Sequence, residues 1–249
     1  MARVATKQRE PARGRFITFE GGEGSGKSTQ IRKLAERLEA AHVATLVTRE
    51  PGGTPGAEAL RHVVLSGMGK LIGAELESLL FAAARDDHVH RVIAPALAAG
   101  TWVLCDRFAD STRVYQGMLG DVDPRLIDAL ERVTIGDLKP DLTLVLDLPA
   151  DVGLSRAAAR RGTGAADRFE AEGALFHERL RQAYLQIARD NPERCVVIDA
   201  TGAPNDVADR IWTTVRERLA PPSERAAKAN AKVNDKTRAN ARTKARAGA

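Results

Sequence analysis

The chain is short of the residues on which several protein classes depend. It has only two cysteines in 249 residues, Cys105 and Cys195, and no disulfide framework or metal-ligand spacing. Each cysteine lies in an apolar, strand-like run, which predicts a buried thiol. No apolar run approaches the roughly 20 residues of a membrane span, and basic residues 1–15 lack the apolar segment of a secretory signal. These absences favour a cytoplasmic protein with no membrane partner.

Histidine offers no metal site either, because the five histidines form no ligand constellation. His88 and His90 are two residues apart, which places them on different faces of a helix. No role is expected for any of the five.

Positive charge is concentrated at the two ends of the chain. The net charge is +5, but lysine and arginine cluster before residue 16 and after residue 222, so the segment between them is mildly acidic. The C-terminal segment has almost no large apolar residue to bury and is expected to be disordered. We therefore predict basic tails at residues 1–14 and 221–249 around one domain at 15–220. The C-terminal tail could contact nucleic acid weakly, but a solvated extension without a dedicated partner is favoured.

The most informative segment is a phosphate-binding loop of the form G-x-x-x-x-G-K-[ST]. A strand pattern precedes it at residues 16–19, and a helical pattern follows at 29–38. In this setting Lys27 reaches the β- and γ-phosphates of a nucleotide, and the Ser28 hydroxyl ligates Mg²⁺. The predicted nucleotide-binding residues are Gly21, Gly22, Glu23, Gly24, Ser25, Gly26, Lys27, Ser28 and Thr29.

Strand and helix signals alternate along the domain. Strands are predicted at 16–19, 43–47, 102–105, 142–146 and 195–198. Helices are predicted at 29–38, 54–66, 74–99, 123–135, 150–161, 172–190 and 205–219, with a loop at 163–167. This order predicts a three-layer α/β fold of the P-loop NTPase type, with a five-stranded parallel sheet flanked by helices. Ligands then bind beyond the carboxyl ends of the strands, where the chain has Glu20, Arg49, Asp106, Asp147 and Asp199.

Three further groups of residues suit phosphate chemistry. Arg49, beside a glycine turn, suits a second phosphate, and Asp106-Arg107 can pair a Mg²⁺ ligand with a phosphate-bridging guanidinium. Arg156 and Arg160 share a helix face near Gly162, as in a lid at about residues 156–170 that closes over a triphosphate. Each group has a simpler explanation. Arg49 could be a surface arginine, Asp106-Arg107 a structural ion pair, and the Arg156–Arg160 face a solvated helix face.

Phe81 and Arg85 lie four residues apart on the long predicted helix. They could stack on a base and hydrogen-bond it. From spacing alone, a core phenylalanine beside a surface arginine is favoured.

Taken in order, these motifs resemble the thymidylate kinase family over about residues 14–219. The resemblance lies in the stretches 19–29, 48–54, 80–85, 106–108, 111–117 and 146–149, followed by the arginine-rich lid. The phosphate loop contains no arginine and the lid has several, which resembles the bacterial-type branch. One departure is Phe108, at a position where tyrosine or histidine is frequent in the family.

The resemblance implies a homodimeric enzyme that uses ATP and Mg²⁺ to phosphorylate dTMP to dTDP for dTTP synthesis. It implies that Phe81 stacks on thymine and that Arg85 hydrogen-bonds the O4 edge. Thr112 and Gln116 flank the base, and Tyr115 lies beneath the deoxyribose.

The same resemblance assigns the charged residues. Arg49 and Arg107 hold the acceptor phosphate, and Glu23 lies near the sugar 3′-hydroxyl. Lys27, Arg107, Arg160 and then Arg156 are the candidate catalytic residues, and Ser28 and Asp106 are the candidate metal ligands. The alternatives are another nucleoside monophosphate kinase or, less favoured, a P-loop regulatory ATPase.

Overall fold

The computed structural model describes residues 13–66, 69–162, 169 and 171–221. Within these residues, five parallel strands form one sheet in the order β2–β3–β1–β4–β5. The strands are β1 (Phe16–Glu20), β2 (Thr45–Arg49), β3 (Trp102–Asp106), β4 (Leu142–Asp147) and β5 (Cys195–Asp199). The predicted α/β architecture is confirmed.

Helices connect the strands and cover both faces of the sheet. They are α1 (Lys27–Ala40), α2 (Pro55–Leu65), α3 (Gly69–His88), α4 (Ala94–Ala98), α5 (Ala109–Thr112), α6 (Pro124–Thr134), α7 (Ala150–Arg161), α8 (Ala174–Asp190) and α9 (Pro204–Leu219). Two π-helical segments, Val89–Ile93 and Arg113–Met118, continue α3 and α5. The sequence patterns did not predict the helical stretch from 109 to 118.

Strand β1 lies at the centre of the sheet and is buried on both faces. All five of its residues are buried, and it pairs with β3 on one side and β4 on the other. Ile17 and Phe19 pack toward α1 and α9, whereas Phe16 packs toward the segment around Ile93 and Leu97. Burial on both faces explains the mainly apolar composition of β1, β3 and β4, in which Thr18 and Thr143 bond to each other.

Strand β2 begins two residues later than predicted. The N–H of Val43 donates to the carbonyl of Leu38 at 2.9 Å and closes the C-terminal end of α1. His42 supplies the positive φ of 58° that this ending requires. Val43 is therefore used by the helix, and Arg49 becomes the last residue of the strand.

The helix predicted at 74–99 is not uniform. It begins at Gly69, is interrupted at Gly73 (φ 75°, ψ 161°), and widens into a π-helical turn at Val89–Ile93. Pro95 follows that turn and has no N–H to donate, and the N–H of Ala94 reaches back to the carbonyl of Val89. Proline thus accounts for the local change in helical pitch.

Two predicted helix starts are confirmed by their capping bonds. Thr54 Oγ1 accepts a 3.0 Å hydrogen bond from the N–H of Ala57, with Pro55 at the first helical position. Asp123 accepts one of 2.8 Å from the N–H of Arg125.

Both free cysteines are buried, as predicted. No helix among the described residues is long and apolar enough to span a membrane. The predicted loop at 163–167, most of the two tails and part of the lid lie outside the described residues.

Candidate active site

The phosphate loop is shaped by glycines in the left-handed region. Gly21, Gly24 and Gly26 have φ values of 133°, 67° and 93°. A Cβ on Gly24 would lie 1.9 Å from the carbonyl oxygen of Gly153 in α7, so loop and helix touch at two glycines. No side chain caps the N-terminus of α1, whose N–H groups and positive dipole end are suited to an anion.

Lys27 is held at the loop by its own backbone. Its Nζ donates to the carbonyl oxygens of Gly21 and Gly22, both at 2.9 Å. The side chain is buried, and burial lowers its pKa, as does the positive charge of Arg107. These bonds place the ammonium group beside the anion-binding end of α1.

A hydroxyl and a carboxylate converge next to the loop. Ser28 Oγ donates to Asp106 Oδ2 at 2.8 Å. In nucleotide sites Mg²⁺ is commonly held by one or two protein oxygens together with phosphate oxygens and water. Ser28 and Asp106 fit that requirement. The described part of the chain, this site included, has no cluster of three or more His, Cys, Asp or Glu side chains that could hold a metal ion.

Arg107 lies at the centre of the site in a strained backbone conformation, with φ of 68°. Its Nη2 pairs with Glu23 of the phosphate loop, and its Nη1 donates to the hydroxyl of Tyr184 at 2.9 Å. Burial alone would raise the pKa of Glu23. The charges of Arg107 and Lys27, with smaller effects from other cations, outweigh that and lower it to about 2. Glu23 is therefore an anion that orients Arg107.

Arg85 is buried, which contradicts the expectation of a surface arginine drawn from spacing alone. It is only 3% exposed, and its Nε donates to Glu50 Oε2 at 2.8 Å. Its Nη2 donates to the carbonyl of Phe108 at 3.2 Å and to Thr112 Oγ1 at 3.0 Å. The third nitrogen, Nη1, makes no hydrogen bond within the described residues. Half-buried Phe81 lines the same cleft.

Glu50 and His88 support Arg85, and the sequence patterns gave neither of them a role. The other oxygen of Glu50 lies 3.1 Å from His88 Nδ1, and His88 Nε2 lies 2.7 Å from Thr48 Oγ1. Because the Glu50 carboxylate can only accept, His88 carries its proton on Nδ1. The peptide bond from Glu50 to Pro51 is cis.

Tyr115 and Gln116 are positioned by contacts around the cleft. The Arg107 guanidinium lies 5.3 Å from the centre of the Tyr115 ring, and Phe169 packs edge-on against that ring at 4.8 Å. Gln116 is buried and donates to Glu77 at 3.1 Å. These contacts fix an aromatic face and an amide on one wall of the cleft.

Of the arginines predicted to bind phosphate groups, all but Arg156 line the cleft. Arg160 lines it, and its charge helps to lower the pKa of Glu23. Arg156 instead donates to the carbonyl of Ala200 at 3.3 Å, away from the cleft lining. Arg49 lines the cleft, and its Nη2 donates to both oxygens of Glu58, at 3.1 and 3.2 Å.

A buried carboxyl group lies beneath the site. Burial, reinforced by the negative charge of Asp110, raises the pKa of Glu20 to about 7. Its oxygens accept from the N–H of Phe108 at 2.8 Å and from Ser111 Oγ at 2.7 Å. Its place at the end of β1 was the only signal in the sequence. Asp147 and Asp199, the corresponding residues of β4 and β5, instead bind Arg181 and Thr201.

These parts enclose one cleft of about 470 Å³. One end has an anion-binding loop and a place for a divalent cation, and the other end is lined by Phe81, Arg85 and Gln116. Cationic groups lie between the two ends. The arrangement suits the transfer of a phosphoryl group between two bound phosphate-bearing molecules.

Comparisons with known proteins agree with this geometry. A family model described as "Thymidylate kinase" matches residues 19–211. A thymidylate kinase of Bradyrhizobium diazoefficiens is 70% identical over 214 residues, covering 86% of this chain and 94% of the relative. One from Nitrobacter winogradskyi is 68% identical, covering 86% and 93%. The crystal structure of thymidylate kinase from Ehrlichia chaffeensis superposes with a TM-score of 0.65 at 33% identity, covering 81% of this chain and 98% of that one.

Proposed function

The chain belongs to the thymidylate kinase family and phosphorylates dTMP to dTDP, and we propose that it does so in the cleft between the phosphate loop and α3. ATP is the phosphoryl donor. The observation that carries this assignment is that a single cleft has an anion-binding loop at one end and the Phe81–Arg85 pair at the other.

The donor end of the cleft binds ATP. The backbone of the loop and the first turn of α1, from Gly21 to Thr29, surround the β- and γ-phosphates, and Lys27 contributes its charge there. We propose that Ser28 and Asp106 hold Mg²⁺, which supplies positive charge to the phosphate oxygens when it is bound. Lys27 must exchange its bonds to Gly21 and Gly22 for phosphate oxygens as ATP binds.

The acceptor end recognises thymine and deoxyribose. The ring of Phe81 stacks on the base, and Arg85 Nη1 donates to the carbonyl at O4. Thr112 and Gln116 flank the base, and Tyr115 lies under the sugar. Support comes from the position of all five side chains on the cleft wall and from the bonds that fix four of them.

Arginines neutralise the charge between the two ends. Arg107 and Arg49 hold the acceptor phosphate, Glu23 orients Arg107, and Arg160 stabilises the transition state from the lid. Arg156 is the second choice for that last role, and its bond to Ala200 makes it the weaker one. The acceptor phosphate is already ionised near pH 7, so positioning and charge neutralisation are sufficient without a general base.

A coupled ADP-release assay tests the proposed reaction. ADP release should depend on dTMP and should be much slower with dCMP, CMP or AMP, whereas dUMP should rank close to dTMP because it lacks only a methyl group. A preference for another monophosphate would identify a different nucleoside monophosphate kinase. Release that needs no acceptor would identify an ATPase.

The homodimer belongs to the same proposal. Helices α2 and α6 both pack against α3, and these three helices carry the exposed apolar residues Val63, Leu71, Leu76, Leu79 and Val133. Large apolar side chains grouped on neighbouring helices are typical of a protein interface. Light scattering should give the mass of a dimer, and Leu79→Asp should shift it toward the monomer. A monomeric mass for the unmodified chain would refute this part.

We also propose that the kinase domain spans 15–220, with a lid at about 156–170, and acts in the cytoplasm. The last described helix, α9, ends at Leu219. Removing residues 222–249 should leave activity and melting temperature nearly unchanged. Loss of either on truncation would show that the tail has a structural part to play.

A further inference from the structure

A chain of hydroxyl groups connects Arg107 to the buried carboxylate of Glu20. Arg107 Nη1 lies 2.9 Å from the Tyr184 oxygen, which lies 2.8 Å from Ser111 Oγ, which in turn lies 2.7 Å from Glu20 Oε2. Tyr184 and Glu20 are buried. The chain thus joins the end of β1 and the segment after β3 to α8, the helix that follows the lid.

When Glu20 is ionised, donor and acceptor chemistry places every proton in this series of hydrogen bonds. A guanidinium only donates and an ionised carboxylate only accepts. Ser111 has one hydroxyl proton, which goes to Glu20, so the proton between Ser111 and Tyr184 must come from Tyr184. The Tyr184 oxygen is then left with its lone pairs directed to Arg107. All three hydrogen bonds therefore have their donors on the side of Arg107 and their acceptors on the side of Glu20.

We propose that Tyr184 is a positioning residue that, through Ser111 and the Glu20 carboxylate, holds Arg107 in place for the acceptor phosphate. The shortest bonds of Arg107 are to Glu23 on Nη2 and to Tyr184 on Nη1, and two longer bonds of 3.4 Å join Nη1 to the carbonyl of Gly21 and to Ser111 Oγ. Without the short bond to Tyr184, Nη1 keeps only the longer bonds and the guanidinium can rotate away from a phosphate. The inference rests on the proposed role of Arg107.

Reversing the direction of hydrogen-bond donation between Glu20 and Tyr184 should have the same effect as breaking these bonds. A glutamine at position 20 must direct its carbonyl to the N–H of Phe108, because its amide group would otherwise face another donor. Its amide then donates to Ser111, whose proton turns to Tyr184. The Tyr184 oxygen would have to accept from both sides while its own proton loses its acceptor.

The test compares Tyr184→Phe and Glu20→Gln with the unmodified enzyme at pH 8, where Glu20 is ionised. Affinity for dTMP without ATP is measured by calorimetry, and kcat and both KM values by coupled assay. Loss of a hydrogen bond to a charged group predicts dTMP binding weaker by about tenfold or more in each variant. The KM for ATP should stay within about twofold, and the double variant should be no worse than the worse single one.

Thr18→Val is the matched control. Thr18 is a buried residue of β1 whose hydroxyl lies 2.8 Å from that of Thr143, and it has no hydrogen bond to Arg107, Tyr184 or Ser111 within the described residues. It should lose stability as the two test variants do, while dTMP affinity stays unchanged. Equal loss of dTMP affinity in the control would mean that any buried hydroxyl has this effect, and would overturn the inference.

Arg107→Ala tests the role of Arg107 separately from that of Tyr184. If it weakens dTMP binding while Tyr184→Phe leaves the dTMP affinity and KM within about twofold of the unmodified values, the positioning role is wrong and the role of Arg107 stands. If Arg107→Ala itself binds dTMP normally, the proposed acceptor site is wrong and the inference falls with it.

Discussion

Replacing Arg85 by alanine should have two separable effects, one on folding and one on base choice. Arg85 and Glu50 form a buried ion pair in which both side chains are 4% exposed. Removing one partner of such a pair leaves an uncompensated carboxylate and costs about 3–5 kcal/mol of unfolding free energy. For a domain of this size, that corresponds to a fall of roughly 6–20 °C in melting temperature.

The effect on base choice follows from the nitrogen that the protein leaves unused. Arg85 Nη1 can donate to the O4 carbonyl of thymine but not to the amino group of cytosine, which is itself a donor. Losing a charged hydrogen bond costs about 1.5–3 kcal/mol, or about 10- to 150-fold in kcat/KM for dTMP. Turnover of dCMP never had this bond and should change little. The dTMP/dCMP ratio, expected at about 10–100 or more in the unmodified enzyme, should fall accordingly.

A second substitution separates folding from recognition. In Arg85→Ala/Glu50→Gln the buried charge is gone, and the glutamine carbonyl can still accept from His88 Nδ1. This double variant should recover much of the lost melting temperature, measured by thermal denaturation, while its dTMP/dCMP ratio stays low in a coupled assay. A double variant with the unmodified ratio would show that the base is read elsewhere. A single variant with an unchanged melting temperature would refute the ion-pair reasoning.

Three further predictions follow from the site. Lys27→Ala should lower kcat by about 10²-fold or more without unfolding the protein, since its charge acts on the transferring phosphoryl group; near-normal turnover would exclude the mechanism. Arg160→Ala should lower kcat by about 10³-fold with little change in the KM for dTMP, and Arg156→Ala much less; the reverse order in the coupled assay would reassign the lid arginine. Burial, reinforced by Asp110, raises the pKa of Glu20 from 4.5 to about 7, so the folded protein keeps a proton that the unfolded chain releases. The free energy of unfolding should therefore decrease from pH 4.5 to about 7, by on the order of 3 kcal/mol, and Glu20→Gln should lack this decrease. If the free energy of unfolding changed with pH equally in the unmodified protein and in Glu20→Gln between pH 5.5 and 8, this prediction would be wrong.

Local sequence signals predicted the five strands, most of the helices and the glycine-rich loop before α1. The glycine pattern from Gly21 to Lys27 requires a particular backbone path, and short runs rich in apolar and β-branched residues indicate the strands. Thr54 and Asp123 begin helices through bonds to residues two or three positions away. Such signals act within a few residues, so the sequence alone predicted the parallel α/β sheet and the phosphate loop at its edge.

The cleft around Arg85 depends on contacts that no local pattern contains. Spacing suggested a surface Arg85. Folding brings Glu50, 35 residues away, against Arg85, and the resulting ion pair offsets the cost of burying the guanidinium charge. The chain from Glu20 through Ser111 to Tyr184 joins residues separated by 91 and 73 positions. Hydrogen-bond partners at such distances are chosen by how strands and helices pack. The sequence therefore determined which chemical groups the protein has, and the tertiary structure determined which of them are buried, paired and directed at a substrate.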